Sequence, residues 1–234
     1  MFFRQLFDRE TCTYTYLLAD RDSRQAVLID PVFEQVDRDA ELIKQLGFTL
    51  LFTLETHVHA DHITGGGLLT ERLGSQTAVS YRGQTCADLQ LRDGDIITFG
   101  AHHLQVRATP GHTDSCISFV TDDLAHAFTG DALFVRGCGR TDFQAGDAAT
   151  LYQSVHNRIL SLPDDTLIWP GHDYKGRTCS TVAEEKAFNP RLGGGKTQTE
   201  FMAIMGGLKL APPARIDVAV PGNLCCGKPE KLSG

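Results

Sequence analysis

The sequence predicts a mixed α/β or α+β fold in which layers of strands are covered by helices. Two observations carry this. Short runs rich in β-branched and aromatic residues are interspersed with runs whose apolar residues recur at helical spacing. One apolar run of strand length, Thr49–Leu54, suits a strand buried on both faces. The chain has 234 residues, 41% of them hydrophobic and 22% charged, as in a soluble globular protein of one large domain or a domain plus a small appendage. We read residues 1–234 as a single domain, with about 176–234 as a short helical and irregular C-terminal extension.

Taken in order, Thr13–Ala19 and Gln25–Ile29 flank the polar turn Asp20–Arg24 and predict a hairpin. Asp37–Leu46 predicts a helix, with Leu42 and Leu46 on one face and Gly47 as its stop. Thr49–Leu54 follows as a strand, and a short helix ends near Gly74. Further strands are expected at Ala78–Tyr81, Ile96–Phe99, Leu104–Ala108, Cys116–Val120 and Ala125–Phe128. Asp147 is a candidate helix cap, followed by Leu151, Val155 and Ile159 at four-residue spacing. Thr166–Trp169 is expected to be the last strand, and Thr181–Phe188 and Thr197–Leu208 the closing helices. Pro212, Pro213 and Pro221 predict an irregular tail.

Lys plus Arg number 22 against 29 Asp plus Glu, a formal charge of −7, which argues against nucleic acid or an anionic membrane surface as partner. No stretch approaches the ~18 apolar residues that span a bilayer. The apolar run within Met1–Glu10 is too short for a signal peptide, and Asp8 and Glu10 argue against a mitochondrial presequence, so a cytoplasmic location is expected. The seven cysteines are odd in number and widely spaced with no CxxC, which argues against a disulfide framework and a thiolate zinc site.

The chemistry sits where predicted strands end. Thr56-His57-Val58-His59-Ala60-Asp61-His62 packs three histidines and an aspartate into one short loop. In an extended segment residues two apart point the same way, so His57 and His59 can converge on one centre. A turn then lets Asp61 and His62 face a neighbouring position. Pro110-Gly111-His112-Thr113 projects one histidine, Thr129-Gly130-Asp131 one carboxylate, and Pro170-Gly171-His172-Asp173-Tyr174 another histidine. Five of the nine histidines fall in these loops, a concentration that points to a metal centre rather than to scattered polar surface. Imidazole and carboxylate suit zinc, iron, manganese or cobalt, so ligand softness leaves the metal open.

In this order and spacing, THVHADH, PGHT, GDA and PGHDY resemble the metal-binding motifs of the metallo-β-lactamase superfamily, over residues 12 to 175 or so. The resemblance implies an αββα sandwich with the site at one edge of its two sheets. In two-metal members the positions matching His57, His59 and His112 bind one ion. Those matching Asp61, His62 and His172 bind the other, with Asp131 bridging. Within the superfamily, Leu133–Gln144 (LFVRGCGRTDFQ), His172-Asp173-Tyr174, Asn189-Pro190-Arg191-Leu192 and Ala219-Val220-Pro221-Gly222-Asn223 resemble the ethylmalonic encephalopathy protein-like persulfide dioxygenases. Glyoxalase II shares the GCGR stretch and the metal motifs. Here, however, TDFQ follows GCGR, and only 62 residues follow His172, fewer than that enzyme's longer glutathione-binding domain needs.

This branch implies one Fe(II) per chain, held by His57, His112 and Asp131 as a facial triad with three positions open to substrate and O₂. His59, Asp61, His62 and His172 are then groups that orient ligands and waters. Glutathione persulfide is oxidised by O₂ at its terminal sulfur, and water releases sulfite and glutathione. Tyr174 is a candidate hydrogen-bond donor to the reacting atoms. Arg140 and Arg191 are candidates for the two glutathione carboxylates, and Cys138 is read as a packed thiol. The alternative is a glyoxalase II-type hydroxyacylglutathione hydrolase with a two-metal site. A non-catalytic metal-binding module is disfavoured by the complete ligand set. Oligomeric state is left open, a homodimer being one option.

Overall fold

A computed structural model describes residues 1–213 and 215–228. They fall into two compact units, one formed by residues 1–91, 97–103 and the tail from 212, the other by residues 92–96 and 104–211.

In the first unit six strands lie side by side in chain order: β1 (Phe2–Asp8), β2 (Thr13–Ala19), β3 (Gln25–Ile29), β4 (Thr49–Leu54), β5 (Gln76–Ser80) and β6 (Leu89–Leu91). The hairpin expected over residues 13–29 is β2–β3, with Tyr16 opposite Ile29 and Ala19 opposite Ala26. From β3 onward the pairing is parallel, which requires crossovers. These are α1 (Val36–Leu46) and α2 (Gly66–Leu73), each stopped by a glycine in the left-handed region, Gly47 at φ 65° and Gly74 at φ 74°. Val36, Ala40 and Ile43 of α1 pack with Leu17, Ala26, Leu28, Leu50 and Leu69 into one core. Burying a side chain such as Ile43 or Leu69 stabilises the fold by about 1.5–3 kcal/mol.

Three elements of this unit were not expected, one of them the three-residue β6, too short to carry a periodic pattern. β1 pairs with β2 along its whole length, from Phe2 opposite Ala19 to Asp8 opposite Thr13. As a half-exposed edge strand it lacks clean alternation, and pairing rather than local propensity decides it. The tail forms α6 (Ile216–Leu224) with Pro221 inside it, where an irregular segment was expected. Pro221 has no N–H to donate to the Asp217 carbonyl four residues back, so the helix forgoes one bond there. Val218 and Ala219 both bond back to the Arg215 carbonyl and close the first turn.

The second sheet runs in the order β12-β11-β10-β9-β8-β7, from β7 (Ile96–Phe99) and β8 (His102–Ala108) through β9 (Ile117–Thr121), β10 (His126–Gly130) and β11 (Leu167–Pro170) to β12 (Ser180–Thr181). β11 is the strand expected at Thr166–Trp169, but it is not the last, because the two-residue β12 pairs with it. A strand that short carries no periodicity to read. In α3 (Ala148–Ser154), Asp147 caps the helix by accepting from the Thr150 N–H at 2.7 Å. The helix widens into a π-turn over Val155–Ile159, and Leu151, Val155 and Ile159 are buried as their spacing implies. α4 (Val182–Phe188) and α5 (Gln198–Gly206) each start with a Thr-x-x-Glu capping box, Thr181 with Glu184 and Thr197 with Glu200. Among the described residues no helix is long and apolar enough to cross a membrane. The four motif loops follow β4, β8, β10 and β11 directly.

Candidate metal centre

In the first unit the loop after β4 is built around Asp30. This residue is fully buried and sits in the left-handed region at φ 50°, which aspartate tolerates better than most residues. Its carboxylate accepts from the Thr56 N–H at 2.7 Å and the Thr56 hydroxyl at 2.8 Å. The Thr56 hydroxyl has one proton, and Asp30 takes it. The contact of that oxygen with His57 Nδ1 at 3.0 Å must therefore have the ring N–H as donor, which leaves the lone pair on His57 Nε2. His59 Nε2 lies 3.2 Å from Asp30 Oδ1 and 3.4 Å from Glu55 Oε2. Two acceptors fix the proton on Nε2, so the lone pair falls on Nδ1, which is buried with no hydrogen-bond partner among the described residues. One aspartate thus sets the tautomer of two histidines.

Without a bound ion, burial disfavours the charged ring of His59, but the Asp30 and Glu55 carboxylates outweigh it and hold its pKa well above the usual range. Nδ1 is then protonated too, and its lone pair becomes available only when an incoming metal ion displaces that proton. Glu55 is pushed up, by burial first and by the Asp30 charge besides, against His59, which pulls it down. His62 is fully buried, with Nδ1 3.0 Å from Asp61 Oδ2. The rings of His57 and His59 are 4.1 Å apart and those of His59 and His62 4.3 Å apart. His59, Asp61 and His62 offer ligand atoms within 4.8 Å of one another, whereas sequence spacing had grouped His59 with His57 and set Asp61 and His62 at a neighbouring position. A small buried cavity beside this loop is lined by Glu55, His57, His59, Thr64, Asn223 and Cys226 among others.

The second unit holds His112, Asp131 and His172. His112 Nδ1 is 2.6 Å from the Arg140 carbonyl oxygen, which can only accept. Nδ1 therefore carries the proton and Nε2 the lone pair, 3.5 Å from Asp131 Oδ2. His172 Nδ1 contacts the other Asp131 oxygen, Oδ1, at 2.7 Å. That bond orients the carboxylate and leaves Oδ2 facing His112. The GCGR stretch matters here through its second glycine. A Cβ on Gly139 would lie 2.7 Å from His112 Nδ1 and 2.6 Å from the Asp131 carbonyl oxygen, so only glycine lets these two groups approach. A Cβ on Gly171 would likewise meet Asp131 Oδ1 at 2.7 Å. The tautomers, the orphaned His59 nitrogen and the all-N/O donor set fit a divalent metal ion.

The remaining sequence candidates also lie in the second unit. Tyr174 is 70% exposed, its ring parallel to that of His172 with centroids 6.1 Å apart. Arg140 is heavily engaged. Nε and Nη2 grip the Asp142 carboxylate at 2.6 and 2.8 Å, Nη1 donates to the Ala211 carbonyl, and the cation lies over Phe143. Arg191 donates through Nη1 to the Cys138 carbonyl at 2.9 Å, while its Nε and Nη2 have no partner among the described residues. Burial pushes the Cys138 thiol up to about 11, against the pull of Arg191, so it is protonated and packed, with its sulfur 3.9 Å from that of Met205. Asp30, Glu55 and Asn223 take part in the site although sequence reasoning gave none of them a role.

The metallo-beta-lactamase superfamily profile matches residues 11–82 and 87–172. The chain is 57% identical over 225 residues to the human mitochondrial persulfide dioxygenase ETHE1, covering 96% of this chain and 88% of that protein. The crystal structure of ETHE1 from Myxococcus xanthus superposes with a TM-score of 0.94 at 54% identity, covering 97% of this chain and all of the other. The chain belongs to the persulfide dioxygenase family of the metallo-β-lactamase superfamily. The expected fold class is therefore the observed one. A Brucella anthropi hydroxyacylglutathione hydrolase is more distant, 38% identical over 135 residues, which are 56% of this chain and 51% of that enzyme.

Proposed function

We propose that this persulfide dioxygenase oxidises glutathione persulfide with O₂ to sulfite and glutathione, using one Fe(II) per chain. The observation that carries this is 57% identity to a persulfide dioxygenase over 96% of the chain, together with donor nitrogens set for metal by their tautomers. His57 through Nε2, His112 through Nε2 and Asp131 through Oδ2 would hold the ion. Bound iron supplies the electron transfer that couples O₂ to the persulfide sulfur, which zinc does not. His172 keeps Asp131 turned toward the ion, and Asp30 keeps the protons of His57 and His59 on the far side of their rings. His59, Asp61 and His62 order the waters and groups around the open positions. Tyr174, stacked on His172, is the candidate donor to the reacting atoms.

For the substrate carboxylates the two arginines differ. Arg191 keeps the N–H groups of Nε and Nη2 to offer, whereas Arg140 must first release Asp142. Arg191→Ala is expected to raise KM about tenfold or more with iron content unchanged, since losing a charge-assisted hydrogen bond costs about 1.5–3 kcal/mol. Arg140→Ala should have the smaller effect on KM. An unaltered KM in both variants removes them from the substrate site.

We place the protein in the cytoplasm or another reducing compartment, consistent with its seven free cysteines. We also read residues 1–234 as one working domain extended by about 176–234. The activity is tested by adding glutathione persulfide to anaerobically prepared protein and following oxygen and sulfite on admission of air. One sulfite per O₂ consumed, with negligible hydrolysis of S-lactoylglutathione, is the expected result. Rapid thioester hydrolysis without oxygen uptake would instead establish the hydroxyacylglutathione hydrolase reading.

A further inference from the structure

We propose that Asn223, near the C-terminal end of α6, is a positioning residue for the metal centre: its carboxamide fixes the backbone of the loop that carries His57, His59 and His62. Asn223 is buried, at 4% exposure. Its Nδ2 donates to the carbonyl oxygens of both His59 and His62 at 2.8 Å, and its Oδ1 accepts from the Thr64 N–H at 2.8 Å. Two carbonyls can only accept and an amide N–H can only donate, so the orientation of the carboxamide is unambiguous. Both of its donor hydrogens and its acceptor are used on one loop, across sequence separations of 159 to 164 residues.

The loop has no helix or strand of its own between Glu55 and Gly65. One NH₂ group bridging carbonyls three residues apart closes the turn at Ala60–Asp61 and so sets His62 relative to His59. The support behind Asn223 is itself tied down. The Cys226 carbonyl accepts from Gly67 N–H at 2.8 Å, and the Leu224 carbonyl accepts from Cys86 N–H at 2.9 Å. Gly227, at φ 64°, passes so close to Thr64 that a Cβ there would lie 2.0 Å from its carbonyl oxygen. No other side chain reproduces this clamp. Aspartate would set carboxylate oxygens against two carbonyls, serine is too short to span them, and glutamine is one methylene too long.

The inference rests on the reading that this loop's histidines bind metal, and the test separates the two. Metal-free wild-type protein, Asn223→Asp and Asn223→Ser are titrated with Co(II), alongside His57→Ala. Both Asn223 variants are expected to bind Co(II) about 10–100-fold more weakly, as for other groups that orient ligands, with a shifted visible spectrum. A role confined to stability would lower the melting temperature and leave that spectrum unchanged. Wild-type affinity and spectrum in Asn223→Asp overturn the proposal. If that variant does not fold, Asn223→Ser decides on the same readouts. Wild-type Co(II) binding by His57→Ala would overturn the metal assignment itself, a distinct failure.

Discussion

Asp131→Ala is expected to strip the metal from the chain, whereas His172→Ala is expected to keep most of it and lose activity. Asp131 supplies one of the three proposed protein ligands and the negative charge that offsets the ion. His172 acts through it: its Nδ1 holds Asp131 Oδ1 at 2.7 Å, so its loss frees the carboxylate to rotate without deleting a ligand. Changes of this kind cost about 10–100-fold in affinity or activity. Iron content and sulfite formation measured on both variants check the division. If His172→Ala empties the site as completely as Asp131→Ala, then His172 is itself a ligand and the two-metal arrangement is the better description.

Asp30→Ala is expected to be the most destabilising single change in the first unit. It removes the acceptor of the Thr56 N–H and Thr56 hydroxyl, and it leaves His59 with only Glu55. Breaking a buried, hydrogen-bonded ion pair from one side costs about 3–5 kcal/mol. In a chain of this size that lowers the melting temperature by roughly 6–20 °C. The left-handed backbone at φ 50° adds strain for alanine that asparagine avoids. Asp30→Asn should therefore recover part of the stability while still weakening metal binding, because the proton positions on His57 and His59 are no longer dictated. Thermal melts with metal titration on both variants separate strain from charge. A melting temperature within 2 °C of wild type for Asp30→Ala would show that this network carries little of the stability.

The metal loops were legible because ligand chemistry is dense in sequence: His57, His59, Asp61 and His62 announce themselves by spacing alone. What remained hidden was what aims them. Asp30 is one aspartate after a strand among many acidic residues, and its hold on two tautomers exists only once β3 and β4 pair. Asn223 was visible only within the AVPGN resemblance, because its partners lie some 160 residues earlier. Arg140 could not be told from a ligand-ready arginine by sequence, since Asp142 two residues on can face either way; in the structure it faces the guanidinium. The same limit applies to the fold. The β2–β3 hairpin and the Asp147 cap follow local rules, whereas β1, β12 and α6 owe their form to pairing and tertiary bonds.

The most direct test of the account is reconstitution of the metal-free protein, followed by assay of glutathione persulfide oxidation. The account predicts that one equivalent of Fe(II) per chain restores oxygen uptake and sulfite formation, and that zinc occupies the site without restoring either. Two tightly bound zinc ions per chain, with activity recovered by zinc alone, would contradict it.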